Sequence, residues 1–234
     1  MESDACTACP SHSSCGDSHE AVCTTLSTAA RYKLITTRIG GLAPRINHKA
    51  IHPGPGVNGI WVDPVPHLII GDVKAYAETV SVTSIRIPGY WIHKLGSSVE
   101  VTSPPQAGEK LIYSLHGGGY IQGSAHPTDL LASIPRGFLK SVEYVHRVFA
   151  LEYRLSSGEP PTTLNPFPAA LLDAIAGYNY LVNVVGFAPI DIIICDDSAG
   201  GNLALALTRY LVENQTSSEV KLPAPPGGML LLSP

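Results

Sequence analysis

The stretch Asp191–Cys195 carries three consecutive isoleucines and runs straight into Asp196-Asp197-Ser198-Ala199-Gly200-Gly201-Asn202. An unbroken apolar run of this kind suits a strand buried on both faces, as in a parallel sheet. Helical periodicity then takes over: from Gly201, Leu203, Ala206, Leu207, Tyr210 and Leu211 follow the i, i+3, i+4 spacing of one buried stripe. A chain that passes from buried strand to amphipathic helix within one short turn points to βαβ units and a mainly parallel sheet, an α/β fold.

A second stripe, Leu171, Ala174, Ile175, Tyr178, Leu181 and Val182, predicts another helix from Ala169, and a short one is expected at about 70–80. Ser81–Ile87, Val99–Thr102, Lys110–Leu115, Val148–Tyr153 and Met229–Leu232 are further strand candidates. Residues 43–66, with five prolines, read as an irregular connector. Leu26–Ile39 is a helix candidate stopped by Gly40 and Gly41, and residues 1–24 read as a disordered tail. The expected organisation is a tail (1–24), an N-terminal cap or entry segment (25–80) and an α/β core (81–234).

The 234 residues suffice for one sizeable domain, and 44% hydrophobic with 15% charged residues fits a packed protein. A formal net charge of −4 supplies no basic field, so nucleic acid is not an expected partner. No apolar run reaches the length of about 18 residues that a transmembrane segment needs. The polar N-terminus lacks the apolar stretch of a secretory signal, which makes a cytoplasmic location the expectation. Arg31, Lys33 and Arg38 leave room for membrane-surface association, although the ragged stripe of Ala30, Leu34, Ile35 and Ile39 better suits a helix packed on the domain. Cys6, Cys9, Cys15 and Cys23 lie close to His12 and His19. A second ligand pair at zinc-motif spacing is absent, so reduced thiols in a tail are expected and no metal.

Ser198 on a strand–turn–helix corner would be pushed out at the carboxyl edge of the sheet, beside the next amide and a helix N-terminus. That suits a nucleophile. Ser, Asp and Gly are also common as ordinary helix caps, and this segment alone leaves both readings open. Leu115-His116-Gly117-Gly118-Gly119-Tyr120 decides between them. Three successive glycines let backbone N–H groups converge on an anion with no side chain in the way. A loop of that kind after one strand, with a serine corner after a later one, is the combination acyl transfer needs.

A third block, Glu152-Tyr153-Arg154-Leu155, is followed by Pro166-Phe167-Pro168-Ala169-Ala170-Leu171 and then Asp173-Ala174. These three blocks, in this order, resemble the hormone-sensitive-lipase group of carboxylesterases and lipases in the α/β-hydrolase superfamily. The resemblance covers roughly residues 80–234. The preceding stretch, Gly59–Trp91, looks like the cap and entry segment of its fungal-type members. The resemblance implies an α/β-hydrolase fold with a helical N-terminal cap and Ser198 as nucleophile. It further implies an oxyanion hole of the Gly117, Gly118 and Ala199 amides, no cofactor, and a small-molecule ester or hydrophobic ligand. His116 would shape the loop instead of acting as base, and Arg154 and Asp173 would pair or cap.

The sequence departs from that pattern in two places. Asp196 stands where the group has glycine, and is expected to crowd the turn and to set a negative charge near the oxyanion. The fold orders its triad nucleophile, acid, histidine. After Ser198 there is no His and no Asp, the acids are Glu213 and Glu219, and all nine histidines come earlier. His93, His126 and His146 are the candidates to substitute, with nothing in the sequence bringing them to Ser198. The resemblance implies an eight-stranded sheet whose last strands and helices would follow Pro234. The chain is therefore expected to be a truncated core with Met229–Leu232 as an open apolar edge, a surface for self-association. On this reading it is a carboxylic-ester hydrolase by family with little turnover of its own. The alternative is a non-catalytic small-molecule-binding protein of the same fold, as in the plant gibberellin receptors, which resemble this group and lack the triad histidine. A nucleotide binder finds no Walker loop here, and the glycine motif lacks the lysine of a phosphate cradle.

Overall fold

The computed structural model describes residues 48–97, 99–157 and 164–234. The N-terminal tail, its cysteine cluster and the helix expected at Leu26–Ile39 lie outside the described residues. Within them the order is β1 (Asn58–Val62), α1 (Gly71–Thr79), β2 (Ile87–His93), β3 (Lys110–Ser114), α2 (Ser133–Ser141), β4 (Val145–Leu151), α3 (Ala169–Asn179), β5 (Ile192–Asp197), α4 (Ser198–Glu213) and β6 (Gly228–Leu232). The strands form one sheet in the order β1-β2-β4-β3-β5-β6. The four strands β4-β3-β5-β6 run parallel, while β1 and β2 are antiparallel additions at one side. None of the described helices is long and apolar enough to cross a membrane.

The expected βαβ core is present, and the isoleucine run is the strand β5. The differences lie where local punctuation misleads. Ser81–Ile87 is not a strand: Ser81 has φ 55 at the end of α1, and pairing begins only at Ile87. The strand that follows holds Pro88 and Gly89, residues that ordinarily mark a break. Gly89 is required there because the Phe149 ring of β4 lies over it, in the space a Cβ would fill. The connector read at 43–66 contains β1, which forms by pairing with β2 through Gly59↔Tyr90 and its neighbours. Val99–Thr102 is a turn with Thr102 at φ 66. The strand expected at Val148–Tyr153 starts earlier, at Val145, and ends at Leu151. α2 contains Pro135 and Gly137, residues that ordinarily interrupt a helix. Pro135 sits in the first turn, where a missing N–H costs no helical hydrogen bond.

The two core helices differ in burial. α4 buries one stripe, including Leu203, Leu207, Tyr210 and Leu211. α3 is buried nearly all round, and a π-helical turn (Tyr180–Val185) carries it on to Gly186 at φ 95. The core beneath is aromatic. Trp91 packs on Phe149 with ring centres 4.9 Å apart, and Tyr113 donates to the Ala174 carbonyl oxygen (3.0 Å), fastening α3 to the sheet. On the other side of β5, the outer edge of β6 is unpaired among the described residues, and Met229, Leu230 and Leu232 are about two-fifths exposed.

One core feature left no trace in the hydrophobic pattern. Arg147 on β4 is fully buried and pairs with the equally buried Glu109 (Nε–Oε1 2.9 Å), with its guanidinium over Trp91 and Phe187 at 5.1 and 5.0 Å. Removing one partner would strand the other as an uncompensated charge. Glu109→Ala should therefore cost about 3–5 kcal/mol in urea unfolding. The double replacement Arg147→Met with Glu109→Leu should cost clearly less than the single one. Equal losses would show that the pair is not the source of the effect.

Candidate active site

β3 and β5 are parallel neighbours with Ser114 in register with Cys195, so the segments leaving their carboxyl ends emerge side by side. One is the glycine loop and the other is the serine corner. They interlock backbone against backbone: a Cβ on Gly200 would collide with the Leu115 carbonyl oxygen, and one on Gly117 with the Asp197 carboxylate. Glycine at both positions is what permits that approach. Ser198 has φ 49 and is exposed, whereas Ala199, Gly200 and Gly201 behind it are buried. It is the first residue of a 16-residue helix whose opening amides have no intrahelical acceptor. A strained, exposed serine at such a corner can turn its Oγ outward, with helix-end amides beside it. Ser198, Gly117, Gly118 and Ala199 are thus gathered at one edge of the sheet.

The loop is fastened from beneath. His116 is buried with its ring stacked on Tyr153 (4.3 Å between centres), and Tyr153 donates to the His116 carbonyl oxygen (2.5 Å). His116 Nδ1 donates to the Gly117 carbonyl oxygen (2.8 Å), and burial holds the imidazole down at about 4, neutral at pH 7. That is a loop-shaping arrangement. Tyr120 closes the loop on the other side. Its carbonyl accepts from the Ser156 amide (2.7 Å), and its hydroxyl donates to Asn202 Oδ1 on α4 (2.8 Å). Sequence reasoning missed Tyr120, Tyr153, Asn202 and Ser114. Tyr120, Tyr153 and Asn202 each lie inside one of the three motif blocks, whereas Ser114 carried no signal.

The corner forms with Asp196 in place. Its side chain turns inward and is fully buried, where Oδ2 accepts from Ser114 Oγ (2.5 Å) and Oδ1 from the Asp197 amide (3.1 Å). The crowding expected of a non-glycine residue falls on Gly200, where a Cβ would stand only 2.9 Å from that of Asp196. Burial raises the Asp196 carboxyl from 3.8 to about 7, against the pull of the Ser114 hydrogen bond and with a further push from Asp197. A second buried carboxyl, Glu152, is raised by burial to about 7 while it accepts from Ser124 Oγ (2.6 Å) and the Ala125 amide (2.9 Å) just past the loop.

None of the three substitute histidines makes a hydrogen bond to Ser198. His93 ends β2 opposite Arg147, and His146 is the neighbouring residue of β4, so both lie towards the amino end of the parallel strands, away from Ser198. His126 makes its ring contacts with Thr128 Oγ1 (2.8 Å) and the His52 carbonyl oxygen (3.2 Å). Glu213 pairs with Arg209 at the far end of α4 (2.7 Å), about 22 Å along the helix from Ser198. Arg154 and Asp173 form the buried pair expected of them (Nη2–Oδ1 2.8 Å), tying the segment after β4 to α3. Two cavities of about 260 and 250 Å³ are lined by residues around Lys94 and around Tyr210, and neither includes Ser198.

The Asp196 carboxyl makes stability depend on pH. Its folded midpoint lies above the unfolded one, so the folded state is penalised progressively from pH 4 upward and fully above pH 7. The move from 3.8 to about 7 corresponds to about 4 kcal/mol withdrawn by pH 8. Asp196→Asn should therefore stabilise the protein at pH 8 and have little effect at pH 4 in paired denaturant titrations. A gain independent of pH would refute the assignment.

Comparison with known proteins follows the same lines. The alpha/beta hydrolase fold family matches residues 112–234. An esterase of Acinetobacter venetianus is 29% identical over 161 residues, which is 67% of this chain and 43% of that protein. An acetyl-hydrolase of Streptomyces hygroscopicus is 38% identical over 106 residues, 45% of this chain and 31% of its own. Among solved structures, a hormone-sensitive-lipase homologue from a metagenome library is 27% identical with a TM-score of 0.45, covering 80% of this chain and 45% of that one. The chain spans less than half the length of these curated relatives. With the family match extending over β3 to β6 and including both the glycine loop and the serine corner, the chain belongs to the α/β-hydrolase fold family.

Proposed function

We propose that Ser198 attacks the carbonyl carbon of a small carboxylic ester. Its Oγ–C bond forms, the ester C–O bond breaks, the alcohol leaves, and water later releases the acid. The N–H groups of Gly117, Gly118 and Ala199 hold the oxyanion of the tetrahedral intermediate, an interaction worth about 3 kcal/mol per donor. The observation that carries this reading is the exposed, positive-φ Ser198 locked against the glycine loop at the carboxyl edge of the sheet. The esterase and acetyl-hydrolase relatives point to the same chemistry.

The proton on Ser198 is the weak point. No described histidine makes a hydrogen bond to Ser198, so in this chain the proton passes to water and acylation is slow. The buried Asp196 adds a negative charge behind the corner above pH 7, which opposes the oxyanion. Treatment with a fluorophosphonate followed by peptide mass spectrometry should place the adduct on Ser198, and Ser198→Ala should abolish it. Turnover of p-nitrophenyl acetate should lie at least about 10⁴-fold below that of an enzyme with a complete triad. Absence of the adduct would sink the nucleophile assignment. Fast turnover lost in Ser198→Ala would show that this chain supplies its own base.

A further inference from the structure

Three successive residues of the glycine loop have positive φ: Gly118 at 113, Gly119 at 64 and Tyr120 at 63. For the first two this is free of steric cost. For an aromatic residue it is strained and persists only where neighbours enforce it. Tyr120 is held at both its ends. The Ser156 amide fixes its carbonyl, and its hydroxyl reaches Asn202 Oδ1 across 82 residues of sequence.

Asn202 lies four residues after Ser198 on α4, so the two side chains share one helix face, about one turn apart. Both are exposed. The Tyr120 side chain therefore runs from the end of the oxyanion loop to the helix face that carries the nucleophile. Its ring also packs edge-on against Tyr153 (6.2 Å between centres), which holds the other end of the loop through the His116 carbonyl. Between these two anchors stand Gly117, Gly118 and Gly119, held through the carbonyls of Gly117 (by His116 Nδ1) and Gly118 (by the Ile121 and Gln122 amides) with no side chains of their own to add a further hold.

We propose that Tyr120 and Asn202 are a positioning pair: their hydrogen bond straps the oxyanion loop to the nucleophile's own helix and aligns its amides with Ser198. This rests on the reaction proposed above. Its consequence is selective. A loop held in line matters most when an oxyanion develops, so loosening it slows the bond-forming step more than it weakens encounter with the reagent. Burial raises the Tyr120 hydroxyl to about 12, so it remains a donor across the working pH range.

The test uses the full chain and an alkyl fluorophosphonate. The Ser198 Oγ–P bond forms, the P–F bond breaks, fluoride leaves and the serine proton goes to water. Inactivation rate and half-saturating concentration are measured for the wild type, Tyr120→Phe, Asn202→Ala and the double variant, with hydrogen exchange of the amides at 117–122 alongside. Each single variant should lose about tenfold in maximal inactivation rate with half-saturation little changed. The double variant should be no slower than the singles, because both remove one bond. Loop amides should exchange faster in Tyr120→Phe while those of β3 and β5 do not. Unchanged rates in the singles, or losses that add in the double, would overturn the pair. If the wild type takes no label at Ser198, the ester-hydrolase reading falls, and the exchange data alone decide the strap: unchanged loop protection in Tyr120→Phe refutes it, and faster exchange upholds it.

Discussion

The Leu115 carbonyl oxygen stands so close to the Cα of Gly200 that no side chain fits between them. That contact joins the first residue beyond β3 to the first turn of α4, and the rest of the site depends on it. It requires β3 and β5 to be parallel and adjacent, hence the buried isoleucine strand. It presses the start of α4 against the loop that leaves β3, so Ser198 and the loop amides share one edge. A methyl group at Gly200 would separate the two segments, and the alignment of serine and amides would be lost with the packing.

Buried charge is handled in two different ways in this fold. Arg147 with Glu109, and Arg154 with Asp173, are desolvated as closed pairs whose hydrogen bonds satisfy both partners. Each ties an irregular segment to a regular element: the turn before β3 to β4, and the chain after β4 to α3. Asp196 and Glu152 are buried with hydroxyl and amide donors only, and burial brings both to about 7. They flank Tyr153, which supports the glycine loop. The region beneath the candidate site thus holds two carboxyls that burial brings near neutrality.

The direction of the strands sorts the titratable groups. The carboxyl ends of β3 and β5 carry the loop and the serine, whereas β2 runs antiparallel to β4 and delivers His93 to the opposite edge, alongside Arg147 and near His146. Two of the candidate histidines, His93 and His146, are therefore on the wrong edge for Ser198. Topology, not composition, sets that separation, since reversing one strand would exchange the edges.

The sequence by itself determined the parallel core, the two long helices, the glycine loop and the serine corner. Each depends on residues close together in the chain: an apolar run, a 3.6-residue stripe, a cluster of glycines. The roles read for Arg154 and Asp173 as a structural pair were also legible, because charged residues at a buried junction need partners. Only the tertiary structure decided the rest. β1 and β2 exist because they pair with each other and with β4, which overrides the breaking tendency of Pro88 and Gly89. Arg147 lies in the core because Glu109 and two aromatic rings surround it. Tyr120 reaches Asn202, and Asp196 finds Ser114, across 82 residues in each case. Hydrogen bonds that long in sequence leave no local pattern, since their partners become neighbours only when β3 and β5 lie side by side.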